Sequence, residues 1–354
     1  MDIHEATLRY ETWLAEQVPI LHEDLTAKHR KMRKEPFAFL RGTFYRWVQQ
    51  WPEICGDLQS GPTVLAVGDL HVANFGTWRD REGRLIWGIN DFDEACRLPV
   101  ANDLVRLATS VRLTEGIKPR PRDAFRAILA GYRRSLELGG RPYVLAEHHR
   151  ELRALALARL KEPQKYWRKL LRWDEVTEKI PSGAWNGIRR LMPARDLEVR
   201  VVHREAGLGS LGRERFTAIA DWRGGKIARE AKALAPSASA WARGGTAPRR
   251  RPHQEILTRA VRCPDPFVRL QGRWIVRRLA PDCSRIEFDS VPDEQDQRQL
   301  LWAMGWETAN VHLGSARARV LLRHLGRLPA SWLAKASKRM TRAVVSDWEA
   351  FRDG

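Results

Sequence analysis

The sequence predicts an α+β fold in which a β-rich region lies between two helical regions. Residues 102–173 carry apolar side chains at the 3.6-residue spacing of amphipathic helices. From about residue 197, short β-like runs alternate with glycine and proline. From about residue 291 to the end, the spacing is helical again. These changes predict three parts, which cover residues 1–196, 197–282 and 283–354.

The predicted elements within these parts follow from local patterns. Residues 1–34 have apolar side chains at helical spacing and predict one helix. Residues 63–67 and 84–90 predict two short strands, with the turn-forming segment RDREGR before the second. In the β-rich region, Gly224-Gly225 predicts the turn of a hairpin. One helix interrupts that region, over residues 253–262.

Composition and cysteine usage indicate a soluble, cytoplasmic protein. The 354 residues suffice for one large domain or two ordinary ones. No apolar run approaches the length of a membrane span, and the acidic N-terminal segment lacks the apolar core of a secretory signal. The four cysteines are scattered without CxxC pairs, which is typical of free thiols in a reducing compartment: Cys55, Cys96, Cys263 and Cys283.

The charge is strongly basic, with a formal net value of +19. Such a charge attracts phosphates, nucleic acid or anionic surfaces. However, only KPRPR at residues 118–122 and RGGTAPRRRPHQ at residues 243–254 are dense basic runs. Most other arginines stand singly on helix-like stretches, so a generally arginine-rich composition explains the charge equally well. Nucleic acid therefore stays open as an alternative partner.

The most informative stretch is VLAVGDLHVANFGTW, residues 64–78, where a strand-like run ends in polar residues. Asn74 follows Asp69 by five positions, and Asp91 follows a second strand-like run in WGINDFDEA. In phosphoryl transfer, one Asp accepts the hydroxyl proton of the acceptor, while an Asn and a second Asp hold Mg²⁺. Carboxylate and amide oxygens are the ligands that Mg²⁺ prefers. The pattern therefore predicts Asp69 as the catalytic base and Asn74 and Asp91 as metal ligands.

A rival interpretation is a metallophosphoesterase, because GDLH contains the D-x-H with which such dinuclear metal sites begin. That class also needs a GNH segment and later histidines as metal ligands. The chain has no GNH, and its other histidines lack ligand spacing. Phosphoryl transfer is therefore the favoured interpretation.

The same segments resemble the aminoglycoside phosphotransferase and choline kinase branch of the protein-kinase-like superfamily. That branch carries HGDLHPGN and then IDWxxAxxGPxxxDLA. The branch has a His at the position of Val67, where it braces the catalytic loop, so Val67 departs from the pattern. The resemblance implies ATP and Mg²⁺ as cofactors and a loop-stabilising role for Asp103. The matching residues are Gly68, Asp69, Leu70, His71, Asn74, Asp91, Ala95, Pro99, Asp103 and Leu104.

A second motif, EAGLGSLGRERF, follows much later in the chain. A Walker loop would need Lys and Ser or Thr after its last glycine, and a Rossmann loop would need a helix next. The chain instead continues with strand-like runs, and a glycine loop between two strands covers ATP in kinases. Lys232 then falls on the third strand, where a phosphate-pairing lysine belongs; an ordinary solvated lysine is the alternative. The predicted nucleotide-contacting residues of the loop are Gly207, Gly209, Ser210 and Gly212.

The order of the two motifs predicts a circular permutation. Ordinary kinases place the glycine loop and the lysine before the catalytic Asp, whereas here they follow it. We therefore expect a kinase-like two-lobe fold in which the helical large lobe is encoded first and the β-rich small lobe later. Glu255, in the predicted helix 253–262, is the candidate to pair with Lys232. The run WIVRRLAPD predicts the last strand before a segment whose backbone reads adenine.

The motifs in this order also resemble an uncharacterised bacterial family, domain of unknown function 2252. The family carries FxRG, GDLHxxNFG, DFDEA, DLxRLAxS, GxGSLG, a lysine ahead of PS, and a late G…A…H. Most of residues 36–320 match, although KAL stands where KEA is usual. Membership in this family implies a related fold but does not identify a substrate. Matching positions outside the motifs already quoted are Phe39, Arg41, Gly42, Gly305 and His312.

Together these observations predict an ATP- and Mg²⁺-dependent phosphotransferase. The short gap between Asp91 and Pro99 leaves little room for a long activation segment, which favours a small-molecule hydroxyl acceptor. Asp93 is predicted as a further metal-binding or orienting group, and His71 and Arg41 as residues that support the loop or contact ligand. Two alternatives stay open: a nucleotide-binding regulator without turnover, and a basic nucleic-acid-binding protein.

Overall fold

The mixed helices and strands confirm the α+β class. The computed structural model describes residues 1–148, 150–158, 162–245, 251–283, 286, 288–291 and 293–354. The helices are α1 (Ile3–Gln17), α2 (His22–Lys34), α3 (Pro36–Gly42), α4 (Phe44–Ile54), α5 (Ala101–Leu113), α6 (Pro121–Glu137), α7 (Leu145–His148), α8 (Arg150–Ala158), α9 (Pro163–Leu171), α10 (Ser182–Leu191), α11 (Ala238–Ala242), α12 (Pro252–Arg259), α13 (Glu294–Leu313), α14 (Ala318–Arg327) and α15 (Trp332–Asp353). The strands are β1 (Thr63–Ala66), β2 (Phe75–Arg79), β3 (Leu85–Ile89), β4 (Cys96–Pro99), β5 (Arg200–Val202), β6 (Arg215–Trp222), β7 (Gly225–Ala233), β8 (Arg269–Gln271) and β9 (Trp274–Leu279).

The N-terminal segment forms two helices, α1 and α2, where the sequence predicted one. The break follows from Pro19, since the residue before a proline is pushed out of the helical region. Val18 is extended, with φ −148° and ψ 150°, and its N–H still closes the last turn of α1 on Leu14 O. The helical periodicity therefore located both helices and missed the interruption.

Two small antiparallel pairs of strands bring the first motifs together. β1 pairs with β4, with Ala66 opposite Cys96, and β2 pairs with β3, with Phe75 opposite Ile89. The predicted strands correspond to β1 and β3, and RDREGR connects β2 to β3. β2 and β4 were not predicted. Because these pairs end beside the loops 67–74 and 90–95, they place the two motif-bearing loops side by side.

The β-rich region forms an antiparallel sheet of five strands in the order β5-β6-β7-β9-β8. One face packs on α10 through Ala231 and Val276. The opposite face, which we call the inner face, carries Glu230 and Lys232. The β6–β7 turn consists of Arg223 and Gly224, with φ 47° and 85°, rather than the predicted Gly224-Gly225. A two-residue turn with both φ angles positive matches the twist of a hairpin.

A tight crossing of α6 and α13 forms the centre of the helical part. A Cβ on Gly305 would overlap the carbonyl of Ile128, and one on Gly131 would overlap that of Trp302. The two glycines therefore allow the helix backbones to approach more closely than side chains permit. This close packing gives the late glycine of the family pattern a structural explanation.

All four cysteines are free thiols, with Cys55 and Cys96 buried. Within the part of the chain that the structure describes, no helix combines the length and apolarity needed to cross a membrane. Of the two basic runs, 118–122 leads into α6, and positions 246–250 of the second lie outside the described residues.

Candidate active site

A buried chain of hydrogen bonds fixes the loop that follows β1. Asp103, in α5, accepts from the backbone N–H of Val67 at 2.7 Å and of Gly68 at 3.0 Å. His312 Nε2 lies 3.1 Å from Asp103 Oδ2, and the hydroxyl of Tyr132 lies 2.8 Å from His312 Nδ1. Asp103 therefore makes the loop contacts that the resemblance implied, and His312 supports Asp103.

Gly68 brings the first loop against the DFDEA segment. Its φ is +81°, and a Cβ there would overlap the backbone carbonyl of Glu94. Only glycine meets both conditions without strain. The conformation of the Asp69 loop therefore depends on close backbone contact with the second motif.

Asp69 is buried at the centre of the site, where its carboxylate binds the Arg106 guanidinium. Its Oδ1 accepts from Arg106 Nε at 3.1 Å and also from Arg106 Nη2. The fully buried Arg106 guanidinium stacks on the rings of Phe44 and Trp47, at 5.0 and 4.9 Å from their centroids. Burial raises the pKa of Asp69 to about 7, although the charge of Arg106 acts to lower it. Near neutral pH the carboxyl is therefore poised to take up or release a proton.

Asn74 links the first loop to the second. Its Oδ1 accepts from the N–H of His71 at 2.7 Å, and its backbone carbonyl accepts from Asn90 N at 3.0 Å. His71 Nδ1 accepts in turn from Ala73 N at 3.2 Å, and His71 Nε2 lies 3.9 Å from Asp69 Oδ2. An amide oxygen has two lone pairs, so Asn74 can brace the loop and still ligate a cation.

Lys232 joins the two distant motifs. From the inner face of β7, its Nζ lies 2.6 Å from Asp93 Oδ2 and 3.8 Å from Asp91 Oδ1. Burial alone would raise the pKa of Asp91, but the charges of Lys232 and Arg277 hold it well below its usual range. Asp91 therefore stays an anion at any physiological pH.

The prediction that Glu255 pairs with Lys232 is wrong. Glu255 Oε2 instead lies 3.3 Å from Arg97 Nη2 and 3.6 Å from Arg259 Nη1. The packing of α12 turns this carboxylate towards β4, and Asp93 takes the place beside the lysine. Helical periodicity cannot tell which strand a given face of a short helix will meet.

The glycine loop lies directly over Asp69. A Cβ on Gly209 would stand 3.2 Å from Asp69 Oδ2 and equally close to the carbonyl of Arg41, so the absence of a side chain permits this approach. Arg215 Nη2 donates to Ala206 O at 2.7 Å and to Ser210 Oγ at 3.1 Å. These bonds fix the loop from the sheet side.

Glu94, to which the sequence assigned no role, fastens the β-rich region to the DFDEA segment. Its carboxylate accepts from Arg213 Nη2 at 3.2 Å and from Ala238 N at 2.7 Å. Its carbonyl accepts from Ser237 Oγ at 3.1 Å. The end of the glycine loop and the PS motif therefore meet at one buried carboxylate. In the sequence, the recurrence of DFDEA and PS in the family pattern was the signal that could have indicated this role of Glu94.

Two adjoining spaces surround these residues. A narrow one of about 30 Å³ lies between Asp69, Asn74 and the glycine loop. A larger cavity of about 530 Å³ extends from Lys232 along the inner face of the sheet. Asp91 and Gly207 line both spaces. The larger cavity has the size of an ordinary small-molecule site.

The donor set fits a metal ion that arrives with phosphates. Across the described ranges, no three His, Cys, Asp or Glu side chains are grouped so that they could hold a metal ion. Mg²⁺ is usually bound by one or two carboxylates together with substrate phosphates. The ionised Asp91 and the amide oxygen of Asn74 fit that incomplete type of site.

Residues 21–175 match the family model described as "Uncharacterized protein conserved in bacteria (DUF2252)". The matched family is the one that the motifs predicted, and the match includes the Asp69 loop, DFDEA and Asp103. The glycine loop and Lys232 lie beyond the matched residues. No curated protein and no solved structure gives a significant match to the chain.

Proposed function

We propose that the protein is an ATP- and Mg²⁺-dependent phosphotransferase with a kinase-like, circularly permuted arrangement. The observation that carries the proposal is the contact of Lys232 with Asp91 and Asp93, at 3.8 and 2.6 Å. Two separate sequence motifs, far apart in the chain, assigned the lysine and the aspartates to phosphoryl transfer. Lys232 and Asp91 line the same cavity, as a single nucleotide site requires.

Each side chain has a role in this reaction. The acceptor hydroxyl oxygen forms a bond to the γ-phosphorus, the bond to the β–γ bridging oxygen breaks, and ADP leaves. The hydroxyl proton goes to Asp69, whose pKa of about 7 suits a general base at neutral pH. Lys232 pairs with the phosphates, and Asn74 and Asp91 would hold Mg²⁺, which when bound neutralises the charge on the transferred group.

The arrangement of the sheet supports the permuted order. β5 and β6 flank the glycine loop, and Lys232 follows on β7, the third strand of the region. A glycine loop between two strands and a lysine on the third are the nucleotide-covering parts of a kinase. In this chain they pack onto catalytic loops that precede them, through Gly209 over Asp69 and Arg213 on Glu94.

The geometry favours transfer over metallophosphoesterase chemistry. A dinuclear site would use His71 and Asp69 as first ligands, with further histidines around them. Here His71 Nδ1 accepts from the N–H of Ala73, which makes His71 part of the loop. The short connection from Asp91 to β4 supports a small-molecule acceptor.

The test is thermal unfolding with and without Mg-ATP on wild type, Lys232→Ala and Asp91→Ala. ATP at about a hundred times its Kd stabilises a protein by about 2.7 kcal/mol. We expect this shift for wild type and its loss in both variants. The matched controls are Lys226→Ala and Asp221→Asn. Lys226 Nζ and Asp221 Oδ1 form an exposed ion pair at 2.8 Å, at the turn end of the β6–β7 hairpin that carries Lys232. Both control variants should bind like wild type.

The other outcomes identify the alternatives. If wild type shows no shift at any usable ATP concentration, the kinase assignment is wrong. Salt-dependent nucleic-acid binding that Asp91→Ala leaves unchanged would then support the alternative that the net charge of +19 suggests. If ATP binds but γ-phosphate is never released or transferred, and Asp69→Asn changes nothing, the protein is a nucleotide-binding regulator.

A further inference from the structure

We propose that the large cavity recognises its donor by the phosphate chain rather than by the base, through Arg204, Arg277 and Lys232. This inference rests on the proposed function and names its ligand class, a nucleoside triphosphate of any base. The carboxylate of Glu230 orients the two arginines. The sequence motifs assigned a role to Lys232 and none to Arg204, Arg277 or Glu230.

Strand pairing aligns the charged residues in rows across the inner face. Glu230 lies opposite Thr217 on one side and Arg277 on the other. In the next row, Lys232 lies between Arg215 and Ile275. Side chains of directly paired residues project from the same face of a sheet. The two rows therefore present several cations to the cavity that Lys232 lines.

Glu230 is a buried anion enclosed by three guanidinium groups. Its Oε1 accepts from Arg215 at 2.8 Å and from Arg277 at 2.9 and 2.8 Å. Its Oε2 accepts from Arg204 Nε at 3.1 Å and also from Arg204 Nη2. Burial would raise the pKa of Glu230, but the three arginines hold it well below its usual range. One negative charge is therefore shared among three positive ones.

All three arginines line the cavity, and Arg204 and Arg277 are its more exposed members. Both bind Glu230 through Nε and Nη2, and their side chains keep 21% and 28% exposure. Arg215, only 3% exposed, is instead engaged with the glycine loop. A guanidinium held on one edge offers its remaining N–H groups in a fixed direction, which suits phosphate oxygens. Arg277 also lies close enough to Asp91 to lower the pKa of that carboxyl. The two arginines therefore adjoin the predicted metal position.

Among the described residues, the aromatic wall of the cavity offers a base a stacking surface. Ile219 and Ala228 of the inner face are already covered by Leu170 and its neighbours on α9. Further along the cavity, the Arg262 guanidinium stacks on Trp78 and Phe92, at 4.9 and 5.0 Å from their centroids. Stacking on aromatic or guanidinium planes tolerates every base, because each base has a π-face.

The first test measures the Kd values of wild type for Mg-ATP, Mg-GTP, Mg-CTP, Mg-tripolyphosphate and adenosine by calorimetry. We expect the three nucleotides to agree within about fivefold. Tripolyphosphate should bind measurably and adenosine should not. Binding of Mg-ATP with GTP and CTP more than about tenfold weaker, or binding of adenosine alone, overturns the inference and leaves the proposed function standing. If no nucleotide binds, the proposed function itself fails.

The second test uses Arg204→Gln and Arg277→Gln, with Arg200→Gln, at the exposed first residue of β5, as the matched control. Each cavity variant should weaken all three nucleotides by about tenfold, because a charge-assisted bond to phosphate is lost. Arg200→Gln should bind like wild type. Unliganded unfolding midpoints identify variants that fail to fold, and the wild-type ligand series decides the question without them. A loss confined to one nucleotide would show that these arginines contact the base, against the inference.

Discussion

Lys232 Nζ lies 2.6 Å from Asp93 Oδ2, so the lysine expected to hold nucleotide phosphates is paired with the DFDEA segment. The partner therefore belongs to the loop that carries Asp91, and not to the helix that carries Glu255. As a consequence, the position of Lys232 and the shape of the predicted metal loop are coupled through one buried contact.

Replacement of Asp93 tests this coupling. Asp93→Asn removes the charge that fixes Lys232, and we expect unfolding free energy to fall by about 1–3 kcal/mol. Phosphate transfer should slow at least about tenfold, because small displacements of a positioning group are costly. Chemical denaturation and γ-phosphate transfer measure the two effects. Glu255→Gln is the matched control and should change stability by less than about 1 kcal/mol. Equal activity in the two variants would refute the role of Asp93.

The environment of Asp69 predicts how activity depends on pH. Its carboxyl has a pKa of about 7, and only the ionised form can accept a proton from the acceptor. Activity should therefore rise with pH through about 7 and level off above it. A kcat/KM profile from pH 5.5 to 8.5 checks this, with Asp69→Asn lowering the plateau by about 10²-fold or more. A profile that is flat across pH 7 would remove Asp69 from the base role.

Glu307 predicts a pH dependence of stability that is separate from the titration of Asp69. Burial raises its pKa to about 8, while the bond from Asn310 Nδ2, at 2.7 Å, acts in the opposite direction. Because the folded pKa exceeds the unfolded one, the folded state binds more protons between about pH 4.5 and 8, and this contribution to stability is lost as pH rises to 8.

The variant Glu307→Gln keeps an amide oxygen for Asn310 and cannot ionise. We expect it to be close to wild type in unfolding free energy at pH 4.5 and more stable than wild type at pH 9. Denaturant titrations at the two pH values give the comparison. A difference between variant and wild type that does not change with pH would mean that Glu307 is ionised throughout.

The crossing of α6 and α13 predicts a strong steric effect. Gly305→Ala places a methyl group against the carbonyl of Ile128, and overpacking of this kind costs about 1–3 kcal/mol or more. The control is Gly326→Ala in α14, where a Cβ would meet nothing within 4 Å. That change should stabilise the protein by about 0.5–1 kcal/mol through helix propensity. Thermal or chemical unfolding measures both, and equal midpoints would contradict the close approach of the two helices.

Local patterns identified the loops of the site and the elements that carry them. The Asp69 loop, the Asp91 segment, the glycine loop and the strand of Lys232 all lie where spacing and turn residues predicted them. Helix periodicity, proline and glycine punctuation and strand alternation act over a few residues, so they can be interpreted in a single chain. The missed break at Pro19 and the shifted turn at Arg223 are errors of the same local kind.

The pairing of side chains across the fold was decided only by tertiary structure. β2 and β4 were missed because their partners β3 and β1 define them, and Glu255 was assigned wrongly because the orientation of α12 depends on its packing. Glu94, Arg106 and the arginines around Glu230 stand in motifs or strands that the sequence shows plainly. Their contacts arise from strand register and buried charge, which depend on residues far apart in the chain and are fixed only when those residues leave water together.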